Sequence, residues 1–273
     1  MQLKDNLQAT LALSGCLFLA ACSGSDTDKV SPLIITGALN DTGSTACSDA
    51  EEAATTCPQA EFPEQDAEFG RDAQAQNQKL SKTGAGIAGF DWLKLDQNGN
   101  PSVVQDSAWN DLGSEHSGAR WSCVMDNVTQ LMWEVKESDP EHPRAGTNTY
   151  TWYDDRVDHN GGVEGAANGG NCSSGTCDTK SYVEMVNRDG LCGHQDWRMP
   201  TVEELSSLVV VSKVIPALDT DYFPNAKQPR FFTAQSNAMD PTLAWYVYFS
   251  DGSVSSTNKA DPSYVRLVRG GQQ

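Results

Sequence analysis

The chain has 273 residues and a formal net charge of −18, a length that suits one large domain or two small ones. Its acidity disfavours nucleic acid, heparin-like polyanions and anionic lipid headgroups as partners of the average surface. Much of that charge is local, with nine acidic residues against Arg71 alone between Asp41 and Asp72.

The first residues read as a targeting segment. Lys4 gives a weak positive n-region, and Ala9 to Ala21 is apolar apart from Thr10 and Ser14. That run is too short to span a bilayer but suits a signal h-region. Its end, Leu19-Ala20-Ala21-Cys22, resembles the lipobox of bacterial lipoproteins. The resemblance implies a signal peptide over 1–21, diacylation of the Cys22 thiol, cleavage before it, and durable membrane anchoring by several acyl chains. Ser23 resembles the outer-membrane sorting pattern. The expected protein is therefore an exported lipoprotein of the outer membrane, on its periplasmic face or at the cell surface. Residues 22–40 read as a flexible tether in which Leu33-Ile34-Ile35 can add an edge strand.

Setting aside Cys16 and Cys22 leaves Cys47, Cys57, Cys123, Cys172, Cys177 and Cys192. An even number in an exported chain argues for disulfides, with several connectivities formally open. Local spacing suggests Cys47–Cys57 and Cys172–Cys177, leaving Cys123–Cys192 as a long-range tie. The rival zinc reading is weak: there is no Cys-x-x-Cys, and His116, His142, His159 and His194 form no ligand cluster.

Residues 41–60 are acidic and alanine-rich, a composition that holds no core of its own. Residues 41–115 together read as an acidic extension packed on a main domain over 116–273. Phe90 to Leu95 alternates in part and meets Asn98-Gly99, a tight-turn signal, which predicts strand, turn, strand. Asp96, Asn98 and Asn100 mimic the start of a calcium loop, but Pro101 and Ser107 occupy its glycine and glutamate positions. Trp121–Met125 and Leu131–Val135 read as two strands about an Asp126-Asn127 turn.

Residues 137–171 form a long Gly- and Asn-rich region with little aliphatic periodicity, the kind of loop on which binding function concentrates. Its one apolar patch, Tyr150, Trp152 and Tyr153, followed by Asp154 and Asp155, is the candidate ligand-binding surface. Asp154, Asp155, Asp158 and Asn160 are weak calcium candidates; a solvated loop is the preferred reading, and no cofactor is assigned.

Asp178 or Thr179 caps a predicted helix running to about Arg188, stopped by Gly190. Pro200 then brings the chain in extended. Thr201 and Glu204 form a capping box that starts a helix expected over Val202–Val210. Trp197 and Arg198 just before it read as structural, the indole buried and the guanidinium tying down loop carbonyls. The rest is β: Phe231–Ala234, Ala244–Phe249, a Ser250-Asp251-Gly252 turn, Ser253–Asn258 and Tyr264–Arg269. Helices followed by a compact antiparallel sheet argue for an α+β fold.

Several dispersed segments resemble one family. They are Gln65–Asp72, Trp121-Ser-Cys-Val-Met-Asp-Asn-Val-Thr-Gln-Leu-Met-Trp-Glu-Val135, Gly190-Leu-Cys-Gly-His-Gln-Asp-Trp-Arg-Met-Pro-Thr-Val-Glu-Glu-Leu205, Trp245–Gly252 and Arg266-Leu-Val-Arg269. Together they resemble the bacterial domain family named after the C-terminal domain of the Legionella collagen-like adhesin. The resemblance implies a C-type-lectin-like architecture: a mixed sheet, two flanking helices and long loops on one side. The named adhesin binds sulfated glycans through this domain, whereas the present chain is strongly acidic and has no collagen-like repeat. Fold speaks to scaffold and not to ligand.

The expected function is a non-enzymatic binding or adhesion module, anchored through Cys22, that recognises a glycan or an envelope or surface protein through its long loops. A structural or assembly role in the envelope is the alternative. An enzyme is the third reading, disfavoured because Gly-x-Ser-x-Gly, His-Glu-x-x-His and a glycine-rich phosphate loop are all missing. Glu134 with Asp196, or Asp154 with Asp155, are the carboxylate pairs an acid–base mechanism would use.

Overall fold

Strand Leu131–Glu134 (β3) explains most of the architecture, because all of its residues are buried. Successive side chains of a strand point to opposite faces. Leu131 and Trp133 join one core cluster, and Met132 joins another on the far side. The sheet that contains β3 is therefore covered on both faces. The computed structural model describes residues 40–173, 175–226 and 230–270; Cys22, the signal segment and Leu33-Ile34-Ile35 lie outside the described residues.

The sheet around β3 also contains Trp92–Leu95 (β1), Cys123–Asp126 (β2) and Val268–Gly270 (β7), in the order β1-β2-β3-β7. A second sheet contains Arg230–Ser236 (β4), Leu243–Tyr248 (β5) and Ser253–Asn258 (β6), in chain order. Every pairing between these strands is antiparallel. The helices are Gly70–Gln76 (α1), Thr179–Asp189 (α2) and Val202–Ser206 (α3). The α+β class expected from the sequence holds, with two antiparallel sheets in place of one mixed sheet.

One core lies between the sheets, where Trp92, Val124 and Trp133 meet Phe231, Val247, Phe249 and, from α3, Leu205. The other lies between the first sheet and α2, where Met132 and Leu95 meet Tyr182, Val186 and Trp197. The segment from Tyr264 to Gly270 joins the layers. Tyr264 bonds to Arg230 and Phe232 of β4, and Val268 pairs with Trp133 of β3. The last strand thus leaves the C-terminal hairpins and closes the first sheet.

The 41–115 segment supplies β1, whose residues pair with β2 from Trp92↔Asp126 to Leu95↔Cys123. Two expectations need correction. The strand expected after Asn98-Gly99 shrinks to a single bridge between Leu95 and Pro101, because a proline has no N–H with which to continue a ladder. The helix expected to reach Val210 stops at Ser206. The Ser207 hydroxyl donates to the Glu204 carbonyl at 2.6 Å, and the Val210 N–H turns to Ala217 O at 3.1 Å.

The disulfides are Cys47–Cys57, Cys123–Cys192 and Cys172–Cys177, the pairs that spacing suggested. Cys123–Cys192 ties β2 to the turn after α2. Asp178 caps α2 by accepting from Ser181 N at 2.8 Å, and Gly190 ends it at φ 77°. At α3 the capping box is complete: Glu204 N donates to Thr201 Oγ1 at 3.2 Å and Thr201 N to Glu204 Oε2 at 2.9 Å. The same carboxylate receives Arg198 Nη1 and Nη2 at 2.7 and 2.6 Å. Arg198 Nη2 also reaches Gly270 O at 3.0 Å, which fastens the helix start to β7.

Trp197 is buried in the α2 core. Its indole N–H donates to Leu191 O at 3.0 Å, and its backbone is clamped by the Asn187 amide. Trp197→Ala is therefore expected to lower the unfolding free energy by about 3–5 kcal/mol, the range for deleting a buried aromatic. Urea unfolding of parent and variant measures it; a loss below about 1 kcal/mol would contradict the structural role.

Candidate functional site

A buried ionic cluster lies between β3, α2 and the C-terminal segment. Glu134 Oε1 accepts from Lys136 Nζ at 2.9 Å and from the Tyr182 hydroxyl; its Oε2 accepts from Leu267 N at 3.0 Å. Lys136 Nζ also donates to the Tyr182 oxygen at 2.7 Å. The Arg266 guanidinium donates to the Glu134 carbonyl and lies 4.9 Å over the Phe223 ring. All four side chains are buried. Burial opposes ionisation of Glu134, but Lys136, Arg144, the Tyr182 hydroxyl and the Leu267 N–H hold its pKa below the ordinary value.

Next to this cluster opens a cleft of about 710 Å³, between the 97–98 turn, residues 113–122, residues 137–144 and the last turn of α2. Arg120 and Arg144 converge on Glu137. Arg144 Nη2 stands 3.2 Å from its Oε1, and Arg120 Nη2 contacts its Oε2. Arg144 Nη1 also donates to Val135 O at 2.8 Å, and Arg120 lies 5.2 Å over the Trp109 ring. His142 Nδ1 accepts from Arg144 N at 3.0 Å, so the neutral ring carries its proton on Nε2. Burial first, and then Arg144, hold the His142 pKa below its ordinary 6.5. On another side Glu115 accepts from the Ser122 hydroxyl and from Gln97 N. Met185, Val186 and Leu191 give an apolar wall. Polar groups held in place opposite an apolar wall suit a polar ligand with one apolar face.

The cleft lies at the end of the first sheet away from where the preceding chain joins. Asn40 Nδ2 donates to Asp126 Oδ2 at 2.6 Å and to Ser207 O at 3.3 Å, and Asp126 closes the β2–β3 turn by accepting from Val128 N and the Thr129 hydroxyl. Ser122 and Glu137 flank the opposite ends of the same two strands.

The aromatic patch expected to meet a ligand is mostly core. Tyr150 is fully buried, its ring 4.6 Å from that of Tyr182, and Trp152 is only 2% exposed, its indole N–H donating to Thr233 O at 2.9 Å. Their two-residue spacing in an extended segment puts both on the inward side. Tyr153 is half-buried, and its N–H and C=O both bond the Thr179 hydroxyl.

The calcium candidates do not converge either. Asp154 takes Arg156 at 2.9 and 2.6 Å, Asp155 takes Lys180 at 2.9 Å, and Asp158 is exposed beside His159. Asn160 is buried and donates to Asp154 O at 3.0 Å. What gathers this loop is Lys259, whose Nζ reaches Asn160 O at 2.8 Å and Val163 O at 2.5 Å while lying 4.0 Å over the Trp152 ring. Among the described residues, the carboxylates near enough together for a metal are Asp41, Asp66 and Asp72. Their oxygens are already engaged, Asp72 by Gly43 N at 2.7 Å and Gly89 N at 2.6 Å, Asp41 by Asp72 N at 2.9 Å, and Asp66 by the Thr42 hydroxyl.

The proposed acid–base pairs are likewise committed elsewhere: Glu134 to its cluster, and Asp196 to Arg269 at 2.7 and 3.0 Å. Arg120, Glu137 and Arg144 were not singled out from sequence, and His142 only as one of four unclustered histidines. For Glu137, His142 and Arg144 the only signal is polar groups set into the glycine-rich stretch after β3; Arg120 stands just before β2.

Burial pushes the Lys259 ammonium down from 10.5 to about 8. The folded chain holds that proton less firmly than the unfolded chain, so unfolding takes up a proton between these values and the group's contribution to stability rises with pH across the window. The stability difference between the parent and Lys259→Met, followed by urea titration, is expected to grow from pH 8 toward 10.5. A flat difference would mean that the carbonyls and the indole face offset burial.

Among the described residues no helix is long and apolar enough to cross a membrane. No curated protein and no solved structure matches the chain. Residues 122–269, more than half of the chain, match the family described as the Lcl C-terminal domain. That span begins beside Cys123 of β2 and ends within β7, so it takes in the ionic cluster, Lys259 and the Trp197–Glu204 junction. On this match the chain belongs to the Lcl C-terminal domain family.

Proposed function

We propose that this chain is a non-enzymatic binding module of the cell envelope, lipid-anchored through Cys22, exported to the outer membrane and built on a C-type-lectin-like scaffold. Its ligand is a glycan or an extended segment of a surface protein, held in the cleft between Arg120, Glu137, Arg144 and the end of α2. The observation that carries this reading is the position of the cleft, at the end of the first sheet opposite Asn40. Asn40, where the described residues begin, is held at the Asp126 end of the sheet, and the cleft lies at the other end of the same strands. The volume falls in the usual range for ligand clefts, and its charged groups are already fixed by one another, so little ordering is needed on binding. The 154–165 loop, pinned by Lys259, lies at the Ser236 end of the second sheet and is a second exposed surface. Commitment of the six cysteines after Cys22 to disulfides favours binding over thiol chemistry.

Replacing residues 145–170 wholesale would delete Tyr150 and Trp152 from the core, so point changes are the cleaner test. Asn98 lines the cleft and is exposed. Soluble protein from Ser23 onward, screened on a glycan array and against envelope extracts, is expected to bind. Asn98→Trp is expected to weaken that binding about tenfold or more, with unfolding unchanged. Binding kept by Asn98→Trp but lost on changing Arg156 and Val157 would move the site to the 154–165 loop. No binding by the parent to either source would count against the reading.

A further inference from the structure

We propose that the loop over Val211–Ile215 is a second, weaker membrane contact, resting its aliphatic side chains in the lipid surface that holds Cys22; this rests on the acylation of Cys22. Val211, Val214 and Ile215 are 54%, 76% and 60% exposed. They belong to a loop fixed by backbone bonds: Val211 N to Thr42 O at 2.9 Å, Ile215 N to Ser250 O at 3.1 Å and Ala217 N to Phe249 O at 2.7 Å. Phe69, 56% exposed, precedes Gly70, whose backbone packs against the Asp41 carboxylate. Val211 and Phe69 therefore border the Asp41–Thr42 stretch, and Val214 and Ile215 follow Val211 in the same exposed loop. Aliphatic groups held open to water in a cluster mark a contact surface.

The occupant is lipid because, on the acylation reading, Cys22 holds a bilayer within a short tether's reach of Asn40. Seventeen residues lie between Cys22 and Asn40, a contour of at most about 65 Å from Cα to Cα. Anchoring at one end raises the effective concentration of the surface enough for a weak apolar contact to form. Asp41 and Asp66 beside the patch offer no attraction to lipid phosphates, so on a zwitterionic surface the contact is apolar and insensitive to salt. The topology also supplies an internal control. Met239 is 96% exposed in the β4–β5 connection, at the opposite end of the second sheet from Ser250.

The test uses the full chain, isolated with its native modification, in phosphatidylcholine vesicles with and without brominated acyl chains. The mass of the N-terminal peptide establishes acylation first. Above the background of the seven native tryptophans, Val214→Trp is expected to lose most of its added fluorescence to the brominated lipid, at low and high salt alike. Met239→Trp is expected to keep its own. Val214→Trp with Ile215→Asp should regain most of the loss. An acylated protein in which Val214→Trp is unquenched, or in which Met239→Trp is quenched equally, overturns the membrane contact and leaves the binding module standing. An unacylated Cys22 removes the anchor and this inference together.

Discussion

A single buried carboxylate, that of Glu134, holds the layers of this fold in register. It receives an ammonium and a phenol on one oxygen and a backbone N–H on the other, and its own carbonyl receives Arg266. Those donors come from β3's continuation, from α2 and from the segment that links the two sheets. Charges removed from water cost several kcal/mol each and are tolerated only with near-complete pairing. Here that demand fixes where α2 sits, and Val186, one turn on from Tyr182, is already a wall of the cleft. Arg144, which helps keep Glu134 ionised, is also one of the two guanidinia that set Glu137 in the cleft.

A second device recurs in the loops. Lys94, Lys136 and Lys259 are all buried, and each ammonium lies over an aromatic ring: Trp121 at 4.0 Å, Tyr182 at 4.4 Å and Trp152 at 4.0 Å. Lys94 donates to Ser107 O, and Lys259 to Asn160 O and Val163 O. An ammonium on an indole face gains from the ring quadrupole, and its remaining donors gather loop carbonyls. Long irregular segments are thereby fastened to the core by the chain's own cations. This accounts for loop order at 154–165, where Asp154 and Asp155 pair with Arg156 and Lys180 instead of gathering an ion.

What the sequence made legible was whatever depends on neighbours in the chain. The capping box at Thr201 and Glu204, the Asp178 cap, the Asp126 turn and the hairpin at Asp251-Gly252 are each written within a few residues. Trp197 and Arg198 were read as structural because a bridge, a proline and a cap surround them, and both are committed to packing and pairing. Harder were features that depend on distant partners. Tyr150 and Trp152 look like a loop surface until Tyr182 and Thr233 cover them. Glu134 and Lys136 look like ordinary strand-end charges until α2 buries them. The cleft draws on four separate segments, so no local pattern announces it. The departure of β7 from the hairpins to β3 is a non-local choice of the same kind.

The unfolding free energy of Glu134→Gln, alone and combined with Lys136→Met, tests the role of the Glu134 cluster most directly. Glutamine keeps the size but leaves Lys136 and Arg266 uncompensated. The single change is predicted to cost about 3–5 kcal/mol, as expected when one partner of a buried pair is removed, and the double change to recover much of it. A single variant within about 0.5 kcal/mol of the parent would contradict the claim that this carboxylate fixes the layers and the cleft beside them.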